Sequence, residues 1–145
     1  MTDELRIDRL ITAPPERVFA AFTEPGGQEA LYGKDDPGWV VRSGCELKIG
    51  GAWVVDFGPS PAELYRHHHV FAVIDPPRRV AMSTTETRLD GATVEFETEF
   101  TFTSANGGTR MTMIQRGFPT PQLRDEHGVG VPVALARFAR AVELA

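Results

Sequence analysis

The chain has 145 residues, 41% hydrophobic and 24% charged, which is the length and composition of one globular domain able to bury a sizeable core. Its formal net charge is -5, and its 15 basic residues are scattered among 20 acidic ones, so it lacks the clustered Lys/Arg excess of a nucleic-acid binder; no apolar run approaches a membrane span. The one cysteine, Cys45, excludes an intramolecular disulfide, and the charged first nine residues do not read as a secretory leader, so a reducing cytoplasmic setting is expected.

Residues 1–145 read as a single domain, with no internal repeat. Leu5, Ile7, Leu10 and Ile11 form a short alternating run that ends at Thr12-Ala13-Pro14-Pro15, a strand running into a helix start. Val18, Phe19, Ala21 and Phe22 recur at helical spacing, and Pro25-Gly26-Gly27 is expected to stop that helix. Gln28 to Tyr32 is expected to add one more turn of helix before the loop composition of residues 33–38.

The middle of the chain reads as strand and turn. Trp39 to Val41, Cys45 to Ile49 and Ala52 to Phe57 are strand-like runs broken at Ser43-Gly44 and Gly50-Gly51. Leu64 to Ile74 closes at Asp75-Pro76-Pro77, and Arg79 to Arg88 runs to an Asp90-Gly91 turn. In the next run Val94, Phe96, Thr98, Phe100 and Phe102 alternate with Thr93, Glu95, Glu97, Glu99 and Thr101, giving one apolar face and one solvated face. Asn106-Gly107-Gly108 turns it into Thr109 to Arg116. Beyond Gly117-Phe118-Pro119 the period becomes 3.6, with Val131, Ala134, Leu135, Phe138 and Val142 on one side of a terminal helix; Pro132 either begins this helix or kinks a longer one starting near Thr120. The predicted class is α+β: a strand, short helices, six antiparallel strands and a long C-terminal helix.

Ala13-Pro14-Pro15-Glu16-Arg17-Val18-Phe19, Thr23-Glu24-Pro25, Gly50-Gly51-Ala52-Trp53, Asp75-Pro76-Pro77-Arg78-Arg79-Val80 and residues Gly107 to Met113 follow in that order over nearly the whole chain. With these joints the element order resembles the helix-grip fold of the START-like (SRPBCC) superfamily and, within it, the family named after the activator of Hsp90 ATPase, C-terminal domain. The resemblance implies a curved antiparallel sheet gripping the last helix, with a cavity between them for a lipid, polyketide, hormone or other hydrophobic molecule. The family does not share one catalytic triad or one cofactor, so the resemblance implies no catalytic residue and no cofactor is expected.

Side-chain parity gives candidate lining residues. With the glutamates outside, Phe96, Phe100 and Phe102 face the helix together with Met111, Met113, Trp53, Phe57 and Phe138, and Gln115 shares the parity of the methionines as a polar contact. Apolar alternation is equally the signature of an ordinary core. In Tyr65-Arg66-His67-His68-His69, strand geometry puts His67 and His69 on one face and His68 on the other, so the run cannot give three ligands to one metal. A two-histidine site would need a carboxylate from a neighbouring strand, and no metal is assigned; His67 or His69 as a general base has no visible partner, and no catalytic residue is assigned either. Glu95, Glu97 and Glu99 read as a solvated face with Arg110 or Arg116 opposite, Asp56 as exposed, and Cys45 as a small packed residue.

The leading expectation is therefore a binder of a small hydrophobic or aromatic molecule, as monomer or homodimer. One rival is a cyclase, aromatase or hydrolase acting on a polyketide-like substrate, with His69, Gln115 or Tyr65 as polar pocket groups. The other is a chaperone-interaction module of the Hsp90 type.

Overall fold

The computed structural model describes residues 4–145. β1 (Leu5–Ile11) leads into two short helices, α1 (Pro15–Phe22) and α2 (Pro25–Leu31). Six strands follow: β2 (Val40–Cys45), β3 (Ala52–Ser60), β4 (Glu63–Asp75), β5 (Arg79–Thr87), β6 (Thr93–Ala105) and β7 (Gly108–Arg116), before the terminal helix α3 (Pro121–Leu144). All seven strands form one antiparallel sheet in the order β1-β7-β6-β5-β4-β3-β2, and the helices cover one face of it: the helix-grip arrangement.

The core is built on Phe22, at the end of α1. Its ring lies 4.5 Å from Phe100, 5.6 Å from both Trp53 and Phe102, and 6.1 Å from Phe138 of α3. Sheet parity holds throughout β6: Phe96, Thr98, Phe100 and Phe102 are buried while Glu95 and Glu97 face water. Glu99 on the outer face bonds Arg116 at 3.1 Å and pairs with Arg79 as well. The β6–β7 hairpin closes on Asn106 (φ 49) and Gly107 (φ 79), a two-residue turn in which both central residues need positive φ.

Three expectations are corrected. Pro25-Gly26-Gly27 does not merely stop α1; it opens α2, with proline in the first turn, where its missing N–H costs nothing. Gly27 is needed there because a Cβ would collide with the Ala21 carbonyl of α1. The second correction concerns β2, which runs through Ser43-Gly44, whereas Glu46 to Gly51 is a loop rather than a strand. Cys45 pairs with Trp53, so this loop is the connection that turns β2 into β3, and the alternating Leu47 and Ile49 stand 43% and 61% exposed on it. Finally, Cys45 is exposed at the end of that edge strand rather than packed.

Pro132 lies inside one continuous α3 whose N-cap is Thr120; the Thr120 hydroxyl accepts from the Leu123 N–H at 3.2 Å. The buried side of α3 therefore begins earlier than the periodicity suggested, with Leu123, His127, Val131, Leu135, Phe138 and Val142 in helical register against the sheet.

Candidate functional site

Between the sheet and α3 the fold leaves a cavity of about 330 Å³. Leu31, Trp39, Phe57, Met113, Val131 and Ala134 form its apolar wall. Its polar lining is Tyr32, His67, Glu86, Gln115 and His127, with Tyr65, Arg88, Glu126 and Arg137 around them.

The polar wall follows from strand register. His67 of β4 stands opposite Glu86 of β5, and His69 opposite Thr84, all four with inward parity. His67 Nε2 lies 2.7 Å from Glu86 Oε1, and His69 Nδ1 2.8 Å from Thr84 Oγ1. Tyr32, just past the end of α2, inserts its hydroxyl between the two histidines, 2.7 Å from His67 Nδ1 and 2.8 Å from His69 Nε2. From α3, His127 reaches Glu86 Oε1 with Nε2 at 3.0 Å and Gln115 Oε1 with Nδ1 at 2.8 Å. Gln115 and Thr84 both reach Thr98 Oγ1, at 3.5 and 2.9 Å. Eight side chains thus form a closed ring: Thr98, Thr84, His69, Tyr32, His67, Glu86, His127 and Gln115. Arg88 Nη1 donates to the other Glu86 oxygen at 2.8 Å.

Burial decides the charge states. It pushes the Tyr32 hydroxyl well above its usual range, helped by the negative Glu86, so the phenol keeps its proton. It pushes His69 well below the usual imidazole range, with His67 and His68 adding to the effect. His67 is also lowered by burial, against the opposing pull of Glu86. Burial pushes the Glu86 carboxyl up, but the hydrogen bonds from His127 and His67 outweigh it and hold the group far below the usual carboxylate range. The wall therefore holds a buried carboxylate beside His67 and His69, whose burial favours the neutral imidazole, and a phenol that donates to one of these histidines and accepts from the other.

The residues named from the sequence divide in two. Phe57, Tyr65, Met113 and Gln115 line the cavity. Trp53, Phe96, Phe100, Met111 and Phe138 are fully packed at 4% exposure or less, and His69 sits behind Tyr32, in the ring rather than on the cavity wall. Sequence reasoning missed Tyr32, Glu86 and His127. Two signals were available: Glu86 shares the inward parity of Val80, Met82 and Thr84, and His127 lies one helical step from Leu123 and from Val131.

Residues 12–143 match the family model described as activator of Hsp90 ATPase homolog 1-like protein. The chain belongs to this family. No curated protein matches it. Among solved structures, the chain is similar to protein CV1439 from Chromobacterium violaceum, with 24% identity, a TM-score of 0.80 and 97% of each chain covered. It is similar to protein Ms6760 from Mycobacterium smegmatis at 19% identity and TM-score 0.79, covering 99% of this chain and 90% of that one. It also resembles DynU16, a protein in the dynemicin biosynthetic locus, at 19% identity and TM-score 0.78, covering 99% of this chain and 48% of that one. At these identities the solved structures establish the shared helix-grip fold. Among the described residues no helix is long and apolar enough to cross a membrane.

Proposed function

We propose that this protein binds one small, largely apolar molecule of aromatic or polyketide type in the cavity between the sheet and α3, with an oxygen function of the ligand turned to the polar wall. The observation that carries this reading is the mixed lining of the cavity: Trp39, Phe57 and Met113 share one space with Gln115, His127 and Glu86. Apolar enclosure with a few convergent polar groups is the usual design of a small-molecule site, and about 330 Å³ is at the small end of the usual range of about 300–1,000 Å³. The likeness to DynU16, a protein of a biosynthetic locus, is in keeping with a biosynthetic small molecule. An exposed thiol at Cys45 is in keeping with a reducing, cytoplasmic setting.

Catalysis is the second reading, and the ring itself favours it. A carboxylate, two histidines and a phenol beside a ligand cavity are a set of proton donors and acceptors of the kind used in acid–base chemistry.

Native mass spectrometry of freshly purified protein, followed by titration with phenols and aryl ketones, tests the binding reading. One small molecule per chain, either copurified or saturably added, is the expected result. Failure of every such compound to saturate a single site overturns it.

A further inference from the structure

We propose that His67, Glu86 and His127 form a binding site for a divalent transition-metal ion of the Zn²⁺ or Fe²⁺ class, with its open coordination positions facing the cavity. The inference deepens the reading above, because the metal would stand at the polar wall and receive the oxygen of the bound molecule.

The ligand atoms already converge. One nitrogen from each histidine and one Glu86 oxygen all lie within 4.8 Å of one another, with His67 Nε2 and His127 Nε2 at 2.7 and 3.0 Å from Glu86 Oε1. Two ligand atoms held at right angles about 2.1 Å from one metal are about 3 Å apart, which the two histidine–carboxylate separations match; the full set spans up to 4.8 Å, so the two imidazoles would draw together on binding, since donors at that distance are at most about 4.2 Å apart. Two imidazoles and a single carboxylate select borderline metals; Ca²⁺ and Mg²⁺ take oxygen-rich shells.

The outer partners are in place. Gln115 Oε1, an acceptor, faces His127 Nδ1, which must therefore carry a hydrogen there. That leaves Nε2 as the His127 nitrogen turned to Glu86 Oε1, the position from which it would ligate an ion. His67 presents its Nε2 to the same oxygen. Tyr32 can accept from His67 Nδ1–H while donating to His69 Nε2, which leaves His67 Nε2 as a lone pair aimed at the same oxygen. Each proposed ligand histidine thus has a fixed partner on its other nitrogen, the arrangement that orients imidazoles on metals. Arg88 occupies Glu86 Oε2 and directs the carboxylate to bind through Oε1 alone. All three ligand residues line the cavity, so a ligand or water has access to the remaining positions, as at a catalytic rather than a structural site.

The test is calorimetric titration of the chelator-dialysed full chain with Zn²⁺. One ion per chain is expected, with affinity falling at least tenfold in His127→Ala and Glu86→Gln. His68→Ala, an exposed histidine on the opposite face, should bind as the unaltered protein does. Circular dichroism checks that each variant folds. Should one not fold, histidine ¹⁵N spectra of the unaltered protein decide: Zn²⁺ is expected to move the Nε2 signals of His67 and His127. No saturable Zn²⁺ binding, binding retained in folded His127→Ala, or Zn²⁺ shifts confined to His68 would each overturn the proposal. Organic compounds entering the cavity without Zn²⁺ binding would remove the metal and leave the binding reading standing; Zn²⁺ binding with an otherwise inert cavity would do the reverse.

Discussion

Glu86 and His127, 41 positions apart in the chain, meet at 3.0 Å between the middle strand of the sheet and the terminal helix. That contact places a charged group inside an apolar seam, where hydrogen bonds to His67, His127 and Arg88 hold it. The seating of α3 and the chemistry of the cavity wall therefore depend on the same few side chains.

Removal of the Tyr32 hydroxyl isolates its contribution. Tyr32→Phe keeps the ring packed 4.8 Å from Phe57 and 5.7 Å from Trp53, and strips His67 and His69 of a shared partner. Unpaired buried nitrogens should cost about 1–3 kcal/mol in urea unfolding. Unchanged stability would show that the hydroxyl is not a member of the ring.

Core and cavity wall should respond differently to truncation. Phe100 is 1% exposed and packed on Phe22, so Phe100→Ala should cost about 3–5 kcal/mol. Met113 is half-buried beside existing space, so Met113→Ala should cost about 1 kcal/mol, part of the usual transfer value for methionine. Equal losses in denaturant unfolding would contradict this division.

Legibility followed the range of the interactions. The alternation of β6 and the Asn106-Gly107 turn were readable because period and turn chemistry are local. The Glu46 to Gly51 loop was not, since Leu47 and Ile49 alternate as a strand would and only the pairing of Cys45 with Trp53 shows the segment to be the turn that joins β2 to β3. The site was half legible: the shared face of His67 and His69 follows from parity, but their partners come from α2, β5 and α3, and nothing in the local sequence says that these elements converge.

Gly128 offers a stabilising change. It lies within α3, and a Cβ there would meet only Leu5 Cδ1 at 3.7 Å, an ordinary contact. Gly128→Ala should raise stability by about 0.5–1 kcal/mol by restricting the unfolded chain. A decrease in the thermal midpoint would mean that the helix needs glycine before Pro132.

Stability at acid pH should carry the signature of Glu99. Partial burial pushes its carboxyl up, but hydrogen bonds from Arg79 and Arg116 outweigh that and hold it below its ordinary value of 4.5. A lowered folded-state value means a contribution that is full above pH 4.5 and is lost as pH falls through the folded-state value. Glu99→Gln should therefore flatten the acid limb of the stability profile and leave its slope near neutrality unchanged. An unaltered acid limb would show the two ion pairs to be ineffective.

The most direct test of the central claim, that the space between sheet and α3 holds a ligand, is an amide and indole NMR titration of ¹⁵N-labelled protein with small phenols, run beside Met113→Trp. Filling the cavity with an indole should abolish binding, and in the unaltered protein the Trp39 indole and the Gly130 amide should move together and saturate. Shifts that persist in folded Met113→Trp, or that fall on the outer face of the sheet, would contradict it.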